Sequence, residues 1–72
     1  MLNGTEIKIE LLKLGKSQIW LLDQLRERGI ICDPSELSKM LGRPQYDYPK
    51  RDRVFKVSTE IIKEYRENEA DN

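Results

Sequence analysis

Three glycines divide the first 42 residues into short segments, and this spacing constrains the fold more than any other feature. Gly15, Gly29 and Gly42 each follow a segment in which apolar residues recur at helical intervals. Glycine is unfavourable inside a helix and common just beyond its end. Each segment therefore predicts one short helix. No apolar run approaches the roughly 20 residues that a membrane span requires, so no membrane partner is expected.

The first segment carries an apolar stripe at Ile7, Leu11 and Leu14, spaced i, i+4, i+7. Thr5 is the expected N-cap. A strand is the alternative, because Ile7 and Ile9 alternate with charged residues. The two adjacent leucines that follow break this alternation, so the pattern favours a helix.

The second segment begins at Ser17, a typical N-cap residue, and ends before Gly29. Leu21, Leu22 and Leu25 are expected to face the core. Trp20 is expected to lie in the core or as a half-buried cover between helices, and a role in binding a partner is the alternative.

The third segment opens with a strong helix start. Asp33 can accept from the first free amides, Pro34 suits the first helical position, and Glu36 can complete a capping box. The expected buried face consists of Leu37, Met40 and Leu41.

A proline- and tyrosine-rich loop follows, and the last helix is expected to begin between Pro49 and Asp52. Its expected inner face consists of Val54, Val57, Ile61 and Tyr65. Residues 67–72 are acidic, lack an apolar stripe and are expected to fray. The sequence thus predicts a compact all-α domain over residues 1–66, with four helices or alternatively five, followed by an acidic tail.

The rare residue types narrow the function classes. The chain has no histidine and one cysteine, which argues against Cys/His metal sites and against Ser-His or Cys-His nucleophile pairs. We expect no enzyme activity, no metal and no cofactor. A lone Cys32 is expected to be a small buried residue and fits a reducing, cytoplasmic compartment.

The net charge is zero, but its distribution is uneven. Residues 1–38 carry a net charge of −1, residues 39–56 carry +4 and residues 57–72 carry −3. The central segment can therefore face phosphate while the carboxyl-terminal part stays acidic. A merely solvated basic face is the alternative.

The arrangement resembles the Cro/repressor-type helix-turn-helix family, also called lambda-repressor-like or xenobiotic-response-element-type domains, especially small forms from phages and mobile elements. The matching positions are a Ser-Gln helix start, two core leucines in the second helix, an apolar-Ser pair in the third and a glycine at its end. They are Ser17-Gln18, Leu21, Leu25, Leu37-Ser38 and Gly42. The resemblance covers roughly residues 5–65, although the connection between the second and third helices is longer than the family's tight turn.

The resemblance implies a sequence-specific transcriptional regulator that binds double-stranded DNA as a homodimer on a palindromic operator at the nucleoid. The third helix would lie in the major groove and contact base edges, while basic residues and the start of the second helix would contact phosphates. The DNA-binding residues it implies are Gln18, Ser35, Glu36, Ser38, Lys39, Arg43, Gln45, Tyr46, Lys50, Arg51 and Arg53.

A protein-binding module on the same scaffold is the alternative function. A repressor modulator or antirepressor would use its third helix against another phage regulator and would not itself bind DNA strongly. The zero net charge favours this alternative, as does the acidic start of the third helix at Asp33 and Glu36. These two residues also have a purely structural interpretation as capping groups.

Overall fold

The computed structural model describes residues 1–43 and 48–70, with side chains to residue 68. The described part of the chain contains four helices and no strand, which confirms the predicted all-α class. The helices are α1 (Gly4–Leu14), α2 (Gln18–Glu27), α3 (Pro34–Gly42) and α4 (Arg51–Ala70).

The glycine and serine signals act as predicted at the ends of α1 and α2. Gly15 and Gly29 take positive φ angles of 70° and 85°, which allows the chain to reverse direction after each helix. Ser17 caps α2, because its Oγ accepts a hydrogen bond from the Trp20 amide at 3.1 Å.

The start of α1 differs from the prediction, since Asn3 and not Thr5 is the N-cap. Asn3 Oδ1 accepts from the Glu6 amide at 2.8 Å, and Glu6 Oε1 accepts from the Asn3 amide at 3.0 Å. This capping box satisfies two backbone amides at once. Thr5 has no glutamate or glutamine three residues later and cannot form the same pair.

The helices α1 and α2 each pack against two other helices. Both α1 and α2 lie against α3, and both also lie against α4. The radius of gyration is 11.6 Å, close to the roughly 11 Å expected for a compact chain of this length. The position of α3 is therefore set by its packing against both α1 and α2.

The core lies where these helices meet. The predicted inward leucines Leu21, Leu22 and Leu25 are all buried, and so is Cys32. The face of α4 is broader than predicted: Val54 and Ile61 are buried as expected, whereas Val57 and Tyr65 are only partly buried. Phe55, Ser58 and Ile62 are buried as well. Contact with both α1 and α2 explains why one narrow stripe does not account for this helix.

The helix α4 extends to Ala70, so the first residues of the acidic segment 67–72 belong to it. No helix within the described ranges combines the length and the apolar character that a membrane crossing needs.

Candidate nucleic-acid interface

The helix α3 is held by a complete capping box, as its sequence predicts. Asp33 Oδ1 accepts from the Glu36 amide at 2.8 Å, and Glu36 Oε1 accepts from the Asp33 amide at 3.3 Å. Pro34 occupies the first turn. Glu36 is half-buried and bonded to the helix start, so its observed contact is the capping one.

The orientation of α3 follows from its apolar residues. Leu37, Met40 and Leu41 are almost completely buried against the rest of the domain, as predicted. The opposite side leaves Ser35, Ser38 and Lys39 exposed. Because residues three and four apart share one helix face, these polar side chains form a continuous surface, which we call the α3 face.

Gln18 is the first residue of α2 and is partly buried. It borders a shallow depression between α1 and the start of α2, of about 250 Å³, whose lining includes Lys8 and Lys16. The first amides of a helix have no partner within it, and its positive dipole end favours anions. The surroundings of Gln18 are therefore electropositive.

Besides lining this depression, Lys16 contacts two aromatic rings, which the sequence did not predict. Its Nζ lies 5.5 Å from the centre of the Trp20 ring and 5.1 Å from that of Tyr65. The two rings form an edge-to-face pair with centroids 5.4 Å apart, which joins α2 to α4. Trp20 is partly buried, and this matches its predicted place as a cover between helices. Lys16 precedes the N-cap Ser17 and lies outside α2, so the helical spacing rule does not predict its cation–π contact with Trp20.

The basic residues of the central segment occupy different surroundings. Arg43 follows α3 and is exposed, and its amide donates to the Lys39 carbonyl at 2.9 Å. Arg51 Nε lies 3.7 Å from Asp52 Oδ1, so part of its charge is offset locally. Gln45 and Tyr46 of the implied DNA-binding set lie outside the described residues.

Lys50 and Arg53 are brought together with the connection between α2 and α3. Lys50 Nζ donates to the Ile31 carbonyl oxygen at 2.7 Å. Lys50, Arg53 and residues 29–31 line a shallow depression of about 250 Å³, which we call the connection depression. Arg53 is exposed and forms no ion pair with the described part of the chain. The sequence analysis did not identify Ile31 as part of this surface.

The ion pair between Arg28 and Glu64 shifts the pKa of both its members. Arg28 Nη2 donates to Glu64 Oε2 at 2.6 Å and links the end of α2 to α4. This hydrogen bond lowers the pKa of Glu64 and raises that of Arg28. Both groups are largely in water, so the pair contributes little to stability.

Cys32 is a free cysteine and lies in the core of the domain. Burial raises the pKa of the Cys32 thiol and disfavours the nucleophilic thiolate. In the ranges 1–43 and 48–70, no three Cys, Asp or Glu side chains are grouped as metal ligands. The described residues form the polar α3 face, and cationic surfaces around Gln18 and in the connection depression lie on the same domain.

Comparisons with known proteins identify no relative. No protein-family model, no curated protein and no solved structure matches the chain. The arguments on function therefore rest on the geometry above and on the motif resemblance.

Proposed function

We propose that the protein is a sequence-specific regulator of Cro/repressor type that binds double-stranded DNA, with α3 as its recognition helix. The observation that carries the proposal is the orientation of α3, which buries three apolar side chains and presents Ser35, Ser38 and Lys39 to solvent. The major groove of B-DNA admits an α-helix. The short serines permit close approach, and Lys39 can donate to the acceptors of guanine.

Phosphate contacts complete the proposed interface. Gln18 and the first amides of α2 would bind one phosphate, as helix starts bind anions. Arg43, Lys50 and Arg53 would neutralise others. Two copies would bind a palindromic operator whose half-sites lie one helical turn apart, about 34 Å. The motif resemblance places such a regulator in phages or mobile elements, acting at the nucleoid of the host cytoplasm.

One observation favours the alternative of a protein-binding module. The carboxylates of Asp33 and Glu36 stand at the amino-terminal end of α3, which would be the end closest to the bases. Negative charge facing DNA is unfavourable, although a glutamate can accept from the exocyclic amine of cytosine. On this alternative, the same α3 face binds another regulator.

Fluorescence anisotropy with labelled duplexes of mixed sequence separates the two functions. A DNA binder that neutralises about four to six phosphates should show a slope of log K against log salt of roughly −4 to −5. A library of random duplexes then yields the preferred site. Absence of salt-dependent binding, with the fold intact by circular dichroism, would contradict DNA binding and favour the protein-binding module.

A double replacement tests whether α3 reads the sequence. Ser35→Ala with Lys39→Ala should reduce the preference for the selected site over a scrambled duplex by about 1–3 kcal/mol. Folding should be unchanged, because both side chains are exposed and alanine favours helix. Lys63→Ala, which removes an exposed charge from α4, is the matched control and should keep the preference. Retained preference in the double variant would remove α3 from the reading role.

A further inference from the structure

The connection between α2 and α3 exposes a large apolar side chain next to two cations. Ile30 and Cys32 are buried, and Ile31 between them is 69% exposed. The position of the backbone is fixed on both sides of Ile31. The Ile30 amide donates to the Leu25 carbonyl at 2.9 Å, and the Ile31 carbonyl accepts from Lys50. The exposure of Ile31 is thus a consequence of a defined local structure.

The chemistry around Ile31 is both apolar and cationic. Lys50 and Arg53 line the connection depression together with Gly29, Ile30 and Ile31. Both cations belong to the segment 39–56, which carries a net charge of +4. An apolar partner protein alone would leave these charges without counterions. A nucleic-acid backbone fits better, because it alternates apolar sugar faces with phosphates at regular intervals.

We propose that the connection depression is a second DNA contact, in which Ile31 packs on a deoxyribose and Arg53 pairs with an adjacent phosphate. This inference rests on the proposed function and adds to it the apolar contact of Ile31, in the connection between α2 and α3. The connection leads directly into Pro34, the first residue of α3. A duplex that receives α3 in its major groove therefore has one of its backbones near Ile31. The contact fixes the depth and the direction of α3 and carries no base information.

The apolar contact of Ile31 and the ionic contact of Arg53 depend differently on salt concentration, and this difference tests the proposal. Arg53→Ala should reduce the slope of log K against log salt by about two units for the proposed dimer, because each protomer no longer neutralises one phosphate. Ile31→Ser should weaken binding about five- to tenfold at every salt concentration and leave the slope unchanged, since an apolar contact releases no counterions. Both losses should be the same for the selected site and for a scrambled duplex.

Matched variants control for folding and for general surface effects. Ile9→Ser replaces another exposed isoleucine, 45% exposed on α1 and outside the connection depression, and should leave the affinity unchanged. Lys63→Ala serves the same purpose for Arg53. Melting temperatures of all variants, followed by circular dichroism, verify that each is folded.

The outcomes separate this inference from the proposed function. If the wild-type protein binds duplexes with the expected salt slope but Ile31→Ser keeps its affinity, the second contact is wrong and the proposed function stands. A changed slope in Ile31→Ser would also overturn it, because the loss would then be electrostatic. If the wild-type protein shows no salt-dependent binding, the proposed function fails and the inference fails with it.

Discussion

The backbone at the start of α1 lies very close to the backbone at the end of α3, and the variant Gly4→Ala tests this contact. A Cβ atom added at Gly4 would lie 2.7 Å from the Leu41 carbonyl oxygen and 2.9 Å from its Cα. Real Cβ atoms essentially never come within 3.0 Å of another heavy atom. Both opposing atoms belong to the backbone, so rotation of a side chain cannot relieve the clash, and one of the two helices must move.

The magnitude follows from two opposing terms. Overpacking a core costs about 1–3 kcal/mol, and here it displaces Leu41, which is fully buried. Alanine gains up to about 1 kcal/mol over glycine in helix propensity. The net loss in free energy of unfolding is then about 1–2 kcal/mol, which corresponds to a fall in melting temperature of roughly 5–10 °C for a domain of this size.

Gly42→Ala is the matched control, since it makes the same change at the last residue of α3. An added Cβ there meets no heavy atom of the described residues within 4 Å, and Gly42 has no positive φ. This variant should be neutral or more stable by up to about 1 kcal/mol. Urea denaturation followed by circular dichroism measures both. Equal stability of the two variants, or a gain at Gly4, would refute the close contact between α1 and α3.

Four further expectations concern the core and the surface. Leu37→Ala should lower the free energy of unfolding by about 2–5 kcal/mol, and a loss below about 1 kcal/mol in urea denaturation would place this side chain on the surface. Ser58→Ala should raise it by about 1 kcal/mol, because the fully buried Ser58 hydroxyl has no hydrogen-bond partner within the described residues. Thr59→Ala should lower the free energy of unfolding instead, because Thr59 Oγ1 donates to the Phe55 carbonyl and accepts from the Leu2 amide. Equal effects of Ser58→Ala and Thr59→Ala in thermal melts would contradict these hydrogen-bond assignments. By NMR, the pKa of the Glu64 carboxyl should lie below its ordinary value and return towards it in Arg28→Ala. The small stabilising effect of the ion pair should be present at neutral pH and be lost as the pH falls through the lowered pKa of Glu64. An unchanged titration of Glu64 in Arg28→Ala would show that the ion pair is not formed in solution.

Helix ends and the orientation of α3 were predictable because their signals are local. Asp33, Pro34 and Glu36 encode a helix start within four residues, and the structure contains the capping box that they predict. The burial of Leu37 and Leu41 follows from their i, i+4 spacing. The start of α1 was equally local and was still assigned wrongly, because Asn3 and Thr5 are both good capping residues and only the spacing to Glu6 distinguishes them.

The contacts around Ile31 that sequence reasoning missed are long-range. Lys50 and Ile31 are 19 residues apart, and nothing in the sequence around either one predicts their hydrogen bond. The exposure of Ile31 depends on how the connection crosses the start of α4. The broad buried face of α4 likewise requires the positions of α1 and α2. These features arise from packing between helices, which periodicity within one helix does not encode.

The most direct test of whether the α3 face contacts DNA is an NMR titration of the ¹⁵N-labelled protein with the selected duplex. The largest amide chemical-shift changes should fall on Ser35, Ser38 and Lys39, with smaller changes at Gln18 and around Arg53. Amides in the carboxyl-terminal half of α4 should change little, because that segment is acidic. Changes confined to α4, with the α3 amides unmoved at saturation, would contradict the account.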